Sequence, residues 1–211
     1  MSGEMWAVVC VIAVAVLLFA EKTKSAPLRA ISKTIASTAF IACAASFGAA
    51  STTAGQLLLV ALVFCWLGDV LLLSNKEKVF LGGLVAFLLG HVAYGVMFVA
   101  LGVETSWVLG GGACVALLLP VVARWLLPHV KGGMKGPVIA YMVVISGMVA
   151  LAAGSVGSTG RPVLLVAAVV FFISDLAVAR ERFVVSGFRN RAWGLPLYYG
   201  AQLAFAFTPS V

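Results

Sequence analysis

Eight apolar runs, joined by short polar or glycine-rich connections, divide this chain: 5–20, 30–49, 55–74, 79–102, 106–127, 137–154, 162–180 and 193–209. A helix needs about 20 mostly apolar residues to cross a hydrocarbon core about 30 Å thick. In that core each backbone N–H and C=O must be satisfied within its own segment, so runs of this length become helices. The connections NKEK, GVETS, PHVKGGMKG and GSVGSTGR leave no stretch for a separate soluble domain. The residues are 63% hydrophobic and 10% charged, whereas soluble domains run near 45–50% and about 25%. Such a chain cannot clothe itself for water. The expectation is an all-α polytopic membrane protein with about eight transmembrane helices, forming a single transmembrane domain over 1–211.

A net charge of +7 could point to nucleic acid, but the basic residues are scattered over short loops. They read instead as determinants of orientation. The loops after runs one, three, five and seven, with their flanks, hold thirteen of the fourteen lysines and arginines, and the opposite loops hold only Arg161. Both termini are therefore expected outside the cytoplasm, with a bacterial inner membrane as the expected location and no nucleic-acid partner. Glu4 precedes the first run and Lys22 and Lys24 follow it, the reverse of a cleaved signal, so 5–20 reads as a retained span. Cys10, Cys43, Cys65 and Cys114 all lie in apolar runs, with no disulfide framework or paired metal motif.

Against this background two carboxylates stand out. Asp69 in VFCWLGDVLLL and Asp175 in VVFFISDLAVA are the acidic residues inside spans; Glu4, Glu21, Glu77, Glu104 and Glu181 belong to termini, loops or span ends. An ionisable group within the membrane costs roughly 2.5–3.5 kcal/mol on insertion scales and is by default a functional candidate. Each aspartate lies about 7.5 Å before the cytoplasmic end of its span, so the two share one depth. The two motifs are the trace of two parallel four-helix repeats or a chance likeness.

Other polar groups gather on the same side. Ser32 and Lys33 open the second span. His91 and Tyr94 share a face of the fourth with Phe87 and Phe98, His91 lying about 18 Å in. Tyr198, Tyr199 and Gln202 occupy the cytoplasmic half of the eighth. Plainer roles exist for each: Asp69 could pair statically with Lys33, or Asp175 with Arg182. His91 could bond a neighbouring helix, and a tyrosine could belong to the interfacial belt.

Burial and mutual repulsion favour one protonated and one ionised carboxyl, the arrangement for acid–base hydrolysis. There is no nucleophile motif, histidine metal site or glycine-rich phosphate loop. Metal-free acid–base chemistry or proton-coupled movement remains, with no cofactor expected.

LGDVLLL, FLGGLVAFLLGHVAY, FFISD and YYGAQL, in that order, resemble the YhhN-like family of lysoplasmalogenases over nearly the whole chain. That family has Lys-Pro at the start of the second span; here the pair is Lys33-Thr34. The resemblance implies hydrolysis of the vinyl ether of a lysoplasmalogen to a fatty aldehyde and a glycerophospho-ethanolamine or -choline. Asp69 and Asp175 would be catalytic, one giving a proton to the vinyl group and the other activating water. Lys33 would meet the phosphate, and His91, Tyr94, Tyr198, Tyr199 and Gln202 would complete the substrate site. The expected partners are a lysophospholipid and membrane lipids. The competing readings are a proton-coupled transporter using the same aspartates and, further off, an intramembrane aspartyl protease. The latter's Gly-x-Gly-Asp motif is broken here by Trp66.

Overall fold

A computed structural model describes residues 2–74 and 76–208. It holds eight long helices: α1 Gly3–Thr23, α2 Ala26–Ser46, α3 Thr53–Leu71, α4 Glu77–Leu101, α5 Thr105–Leu126, α6 Lys135–Thr159, α7 Pro162–Ala179 and α8 Phe188–Ala206. The fold is all-α, and the protein is a multi-pass integral membrane protein. Local chemistry sets the boundaries. Ser2 and Thr52 accept backbone N–H groups of Met5 and Gly55 as N-caps of α1 and α3. Proline stands in the first turn of α2 and α7, where its missing N–H costs nothing. Lys24 ends α1 in a left-handed conformation, φ 57°.

Short connections make successive helices pack as pairs, α1 with α2, α3 with α4, α5 with α6 and α7 with α8. Contacts between α4 and α6, and of α8 with α1 and α2, join the pairs into one bundle. α3 and α4 approach most closely where side chains are absent. A Cβ on Gly68 would lie 2.6 Å from the Phe87 ring, and one on Gly90 would lie 3.0 Å from Cys65 Sγ. Small residues at such crossings let membrane helices meet through their backbones. Gly68 immediately precedes Asp69, so this crossing positions the carboxylate. α5 is peripheral, burying only Val115 and Leu126. Val8, Val11, Ile12 and Phe19 of α1 point outward at 57–60% exposure, as expected of surface facing hydrocarbon.

Eight long helices form where eight spans are expected, and among the described residues seven of them are long and apolar enough to cross a membrane. Two helix starts differ from expectation. α8 begins at Phe188 rather than 193, taking Arg189, Asn190 and Arg191 into its first turn and lowering its apolar character. Residue 209, placed at the end of the eighth span, lies outside the described residues, as does residue 75 of the NKEK connection. Secondly, α2 begins at Ala26, four residues before the expected 30, so Lys33 lies in its interior, not at its opening. The packing does not establish a four-helix repeat.

Candidate active site

The ends of α1, α3 and α7 and the starts of α2 and α8 meet at the end of the bundle where the lysines and arginines cluster. There a cavity of about 470 Å³ enters the protein. Asp69 and Asp175 both line it, as do Lys33 and Tyr198. Its walls are apolar side chains, among them Leu119 and Val122 of α5, Met142 and Ile145 of α6 and Phe172 of α7. α7 widens into a π-helical turn at Arg180–Val184, which brings Glu181 and Arg182 to the mouth. π-turns of this kind recur at functional sites.

The two carboxylates have opposite surroundings. Asp69 is 2% exposed and surrounded by donors. Lys33 Nζ lies 3.1 Å from its Oδ1, while Ser37 Oγ donates to Oδ2 at 2.6 Å and the Tyr198 hydroxyl donates to the same oxygen at 2.8 Å. An ammonium and two hydroxyl donors suit an acceptor-only group, the ionised carboxylate. Lys33 is itself only 9% exposed, so each charge is the other's means of staying buried. Tyr199 braces the arrangement from behind, 3.1 Å from Ser37 Oγ and 3.4 Å from the Lys33 carbonyl.

Asp175 has fewer partners and a more open side chain, 15% exposed. The Tyr141 hydroxyl donates to Oδ2 at 2.6 Å. His91 Nε2 lies 3.4 Å from the same oxygen, within ion-pair range but not aligned for a hydrogen bond. His91 Nδ1 is 2.7 Å from the Phe87 carbonyl. A carbonyl only accepts, so Nδ1 carries the hydrogen and the neutral ring leaves Nε2 bare. The lone pair of Nε2 would repel an ionised carboxylate at this distance; a proton on the carboxyl removes the conflict. Asp175 thus faces a histidine nitrogen and a tyrosine hydroxyl, a setting suited to a carboxyl that holds a proton, whereas Asp69 is ion-paired with Lys33.

An aromatic floor separates the cavity from the rest of the bundle. Tyr198 stands edge-on to Phe87 at 5.8 Å and 5.5 Å from Phe171, which in turn lies 4.4 Å from the His91 ring. Tyr94 and Gln202, expected near the substrate, are fully buried below this floor and hydrogen-bond to each other. Of the expected residues the structure thus gathers Lys33, Asp69, Asp175 and Tyr198 on the cavity, with His91 and Tyr199 directly behind. Tyr94 and Gln202 contribute to the packed interior. Two partners escaped the sequence reading. Ser37 had a signal, standing four residues after Lys33 on the same helical face. Tyr141 had none, since nothing in α6 marks it as facing α7. Among the described residues no three His, Cys, Asp or Glu come together as a metal-binding group.

Residues 28–208, from α2 through α8, match the sequence model of the YhhN family. The chain belongs to the YhhN family. It is also similar to "Lysoplasmalogenase TMEM86A" of Bos taurus, with 29% identity over 157 residues, 71% of this chain. That alignment spans 63% of the bovine protein's length, so the chain corresponds to somewhat less than two thirds of it. No solved structure matches. In this YhhN-family protein all the residues lining the cavity except Glu21 fall within the matched region.

Proposed function

We propose that this protein hydrolyses the vinyl ether of a single-chain glycerophospholipid, the lysoplasmalogenase reaction, using Asp175 as acid and Asp69 as base. The observation that carries this is the contrast between two carboxylates on one apolar-walled cavity. One is set among donors; the other faces His91 Nε2 at 3.4 Å and, among the described residues, accepts from Tyr141 alone. Enzymes assign acid and base roles by such differences of environment. Family membership and the distant lysoplasmalogenase relative support the same chemistry.

The steps follow from the positions of the protons. Asp175 gives its proton to the vinyl carbon remote from oxygen, leaving an oxocarbenium ion on the carbon next to oxygen. Asp69, held ionised by Lys33, stabilises that cation and takes a proton from the water that attacks it. The product is a hemiacetal, with Asp175 now ionised and Asp69 protonated. Asp175 then removes the hemiacetal hydroxyl proton while Asp69 protonates the departing glycerol oxygen. Aldehyde and alcohol leave, and both aspartates return to their starting states. No metal or cofactor takes part in this scheme. The apolar walls would hold the chain, and the site would face the cytoplasmic leaflet of a bacterial inner membrane.

Purified protein in detergent, given a lysolipid bearing a vinyl ether and its saturated-ether counterpart, should release aldehyde from the first alone. A proton-coupled transporter would release none, and that result would overturn the assignment.

A further inference from the structure

The mouth of the cavity holds two arginines that the catalytic scheme leaves unused. Its other cations are engaged. Lys33 belongs to Asp69, and Arg191 lies between Glu21 and Glu181, 3.1 Å from the latter. Glu181 is further occupied by Ser186, the Gly187 N–H and Asn190. Arg29 and Arg182 also line the cavity, and among the described residues neither meets a carboxylate.

Arg29 is half-buried. Its Nε is sealed from solvent with no hydrogen-bond partner, and its Nη2 has only a 3.5 Å contact with the Leu73 carbonyl. A buried N–H without an acceptor costs free energy that an arriving anion would recover. Arg182 rests its guanidinium carbon 4.2 Å from the centre of the Phe80 ring, a contact that satisfies none of its N–H groups. Two guanidinium groups with free N–H edges match the oxygens of a phosphate.

The spacing also fits a lipid. Arg29 stands one turn before Lys33 on the same face of α2, about 6 Å nearer the mouth. In a lysolipid the phosphorus is separated from the ether oxygen by a three-carbon glycerol and one oxygen, roughly the same length. A phosphate on the arginines therefore leaves the ether at the level of the aspartates and the chain against the apolar wall.

We infer that Arg29 and Arg182 form the binding site for the phosphodiester of a single-chain phospholipid. The identity of the lipid rests on the hydrolase reading above; the arginine site is tested without turnover. Binding of a saturated-ether lysophosphatidylethanolamine and of the matching alkylglycerol, which lacks phosphate, would be measured on intact protein in detergent. Wild type should prefer the phospholipid by tenfold or more, and R29Q and R182Q should each cut that preference by about tenfold. Arg182 is exposed, so R182Q tests the site even if R29Q folds poorly. Equal binding of the two lipids by wild type, or a preference unchanged in R182Q, would overturn the proposal. Inorganic phosphate, lacking a chain, should not displace the phospholipid at equal concentration; displacement would mark a site for free anions and overturn the lipid assignment. Because the probe has no vinyl ether, these results stand apart from whether aldehyde is released.

Discussion

Lys33 Nζ and Asp69 Oδ1 lie 3.1 Å apart, joining α2 to α3 through two side chains that are both buried. The sequence reading assigned Lys33 to the substrate phosphate, which predicts that its loss weakens substrate capture. The ion pair predicts something else. Removing one member of a buried pair strands the other, at a cost of about 3–5 kcal/mol. Lys33→Met should therefore lower thermal stability in detergent and reduce kcat. Lys33→Met combined with Asp69→Leu should regain much of the stability and remain inactive. A raised KM with unchanged kcat in Lys33→Met would return this lysine to the phosphate.

Asp175 carries no such structural burden. Asparagine at 175 can still accept from Tyr141 but has no acidic proton to transfer. Asp175→Asn should reduce aldehyde release by about 10²–10⁴-fold, the usual contribution of a positioned acid, with little change in the unfolding temperature. Asp69→Asn should lose both activity and stability, because it leaves Lys33 buried without its counter-charge. Equal stability losses in the two variants would contradict the asymmetry between the sites.

Tyr141 offers a test of how the acid is held. Its hydroxyl is 2.6 Å from Asp175 Oδ2. Tyr141→Phe keeps the ring, which packs edge-on to His91 at 5.2 Å, and removes only the hydrogen bond. The expected outcome is a fall in kcat of about tenfold with a stability change near 1 kcal/mol. A wild-type rate in Tyr141→Phe would show that Asp175 needs no such support.

Sidedness follows from the charge distribution. With thirteen of fourteen basic residues flanking one set of loops, cysteine at Lys78 should be shielded from an impermeant thiol reagent in intact cells. Cysteine at Thr105 should label. Of the native thiols, Cys10, Cys43 and Cys65 are buried, and Cys114 would be replaced by alanine to clear the background. Labelling at position 78 from outside would invert the topology and move the site to the other leaflet.

Much of this protein is local in origin and so was readable along the chain. An apolar run of bilayer length must become a helix wherever it sits, because its backbone has no other partner in hydrocarbon. All eight helices were found on that ground, and Asp69 and Asp175 were singled out because a carboxylate in such a run is costly whatever surrounds it. Helix ends were less legible. The first turn of α8, with its arginines, reads as loop by composition but is helical once packed into the bundle. The meaning of the two aspartates was not local at all. Ser37 is 32 residues from Asp69, Tyr198 is 129 residues away, and Tyr141 is 34 residues from Asp175. Which donors meet which carboxylate depends on how α2, α6 and α8 rotate against α3 and α7, set by packing at small residues such as Gly68. Two aspartates equal in the sequence became unequal only when the helices closed around them, because hydrogen-bond partners lie across helix contacts, not along the chain.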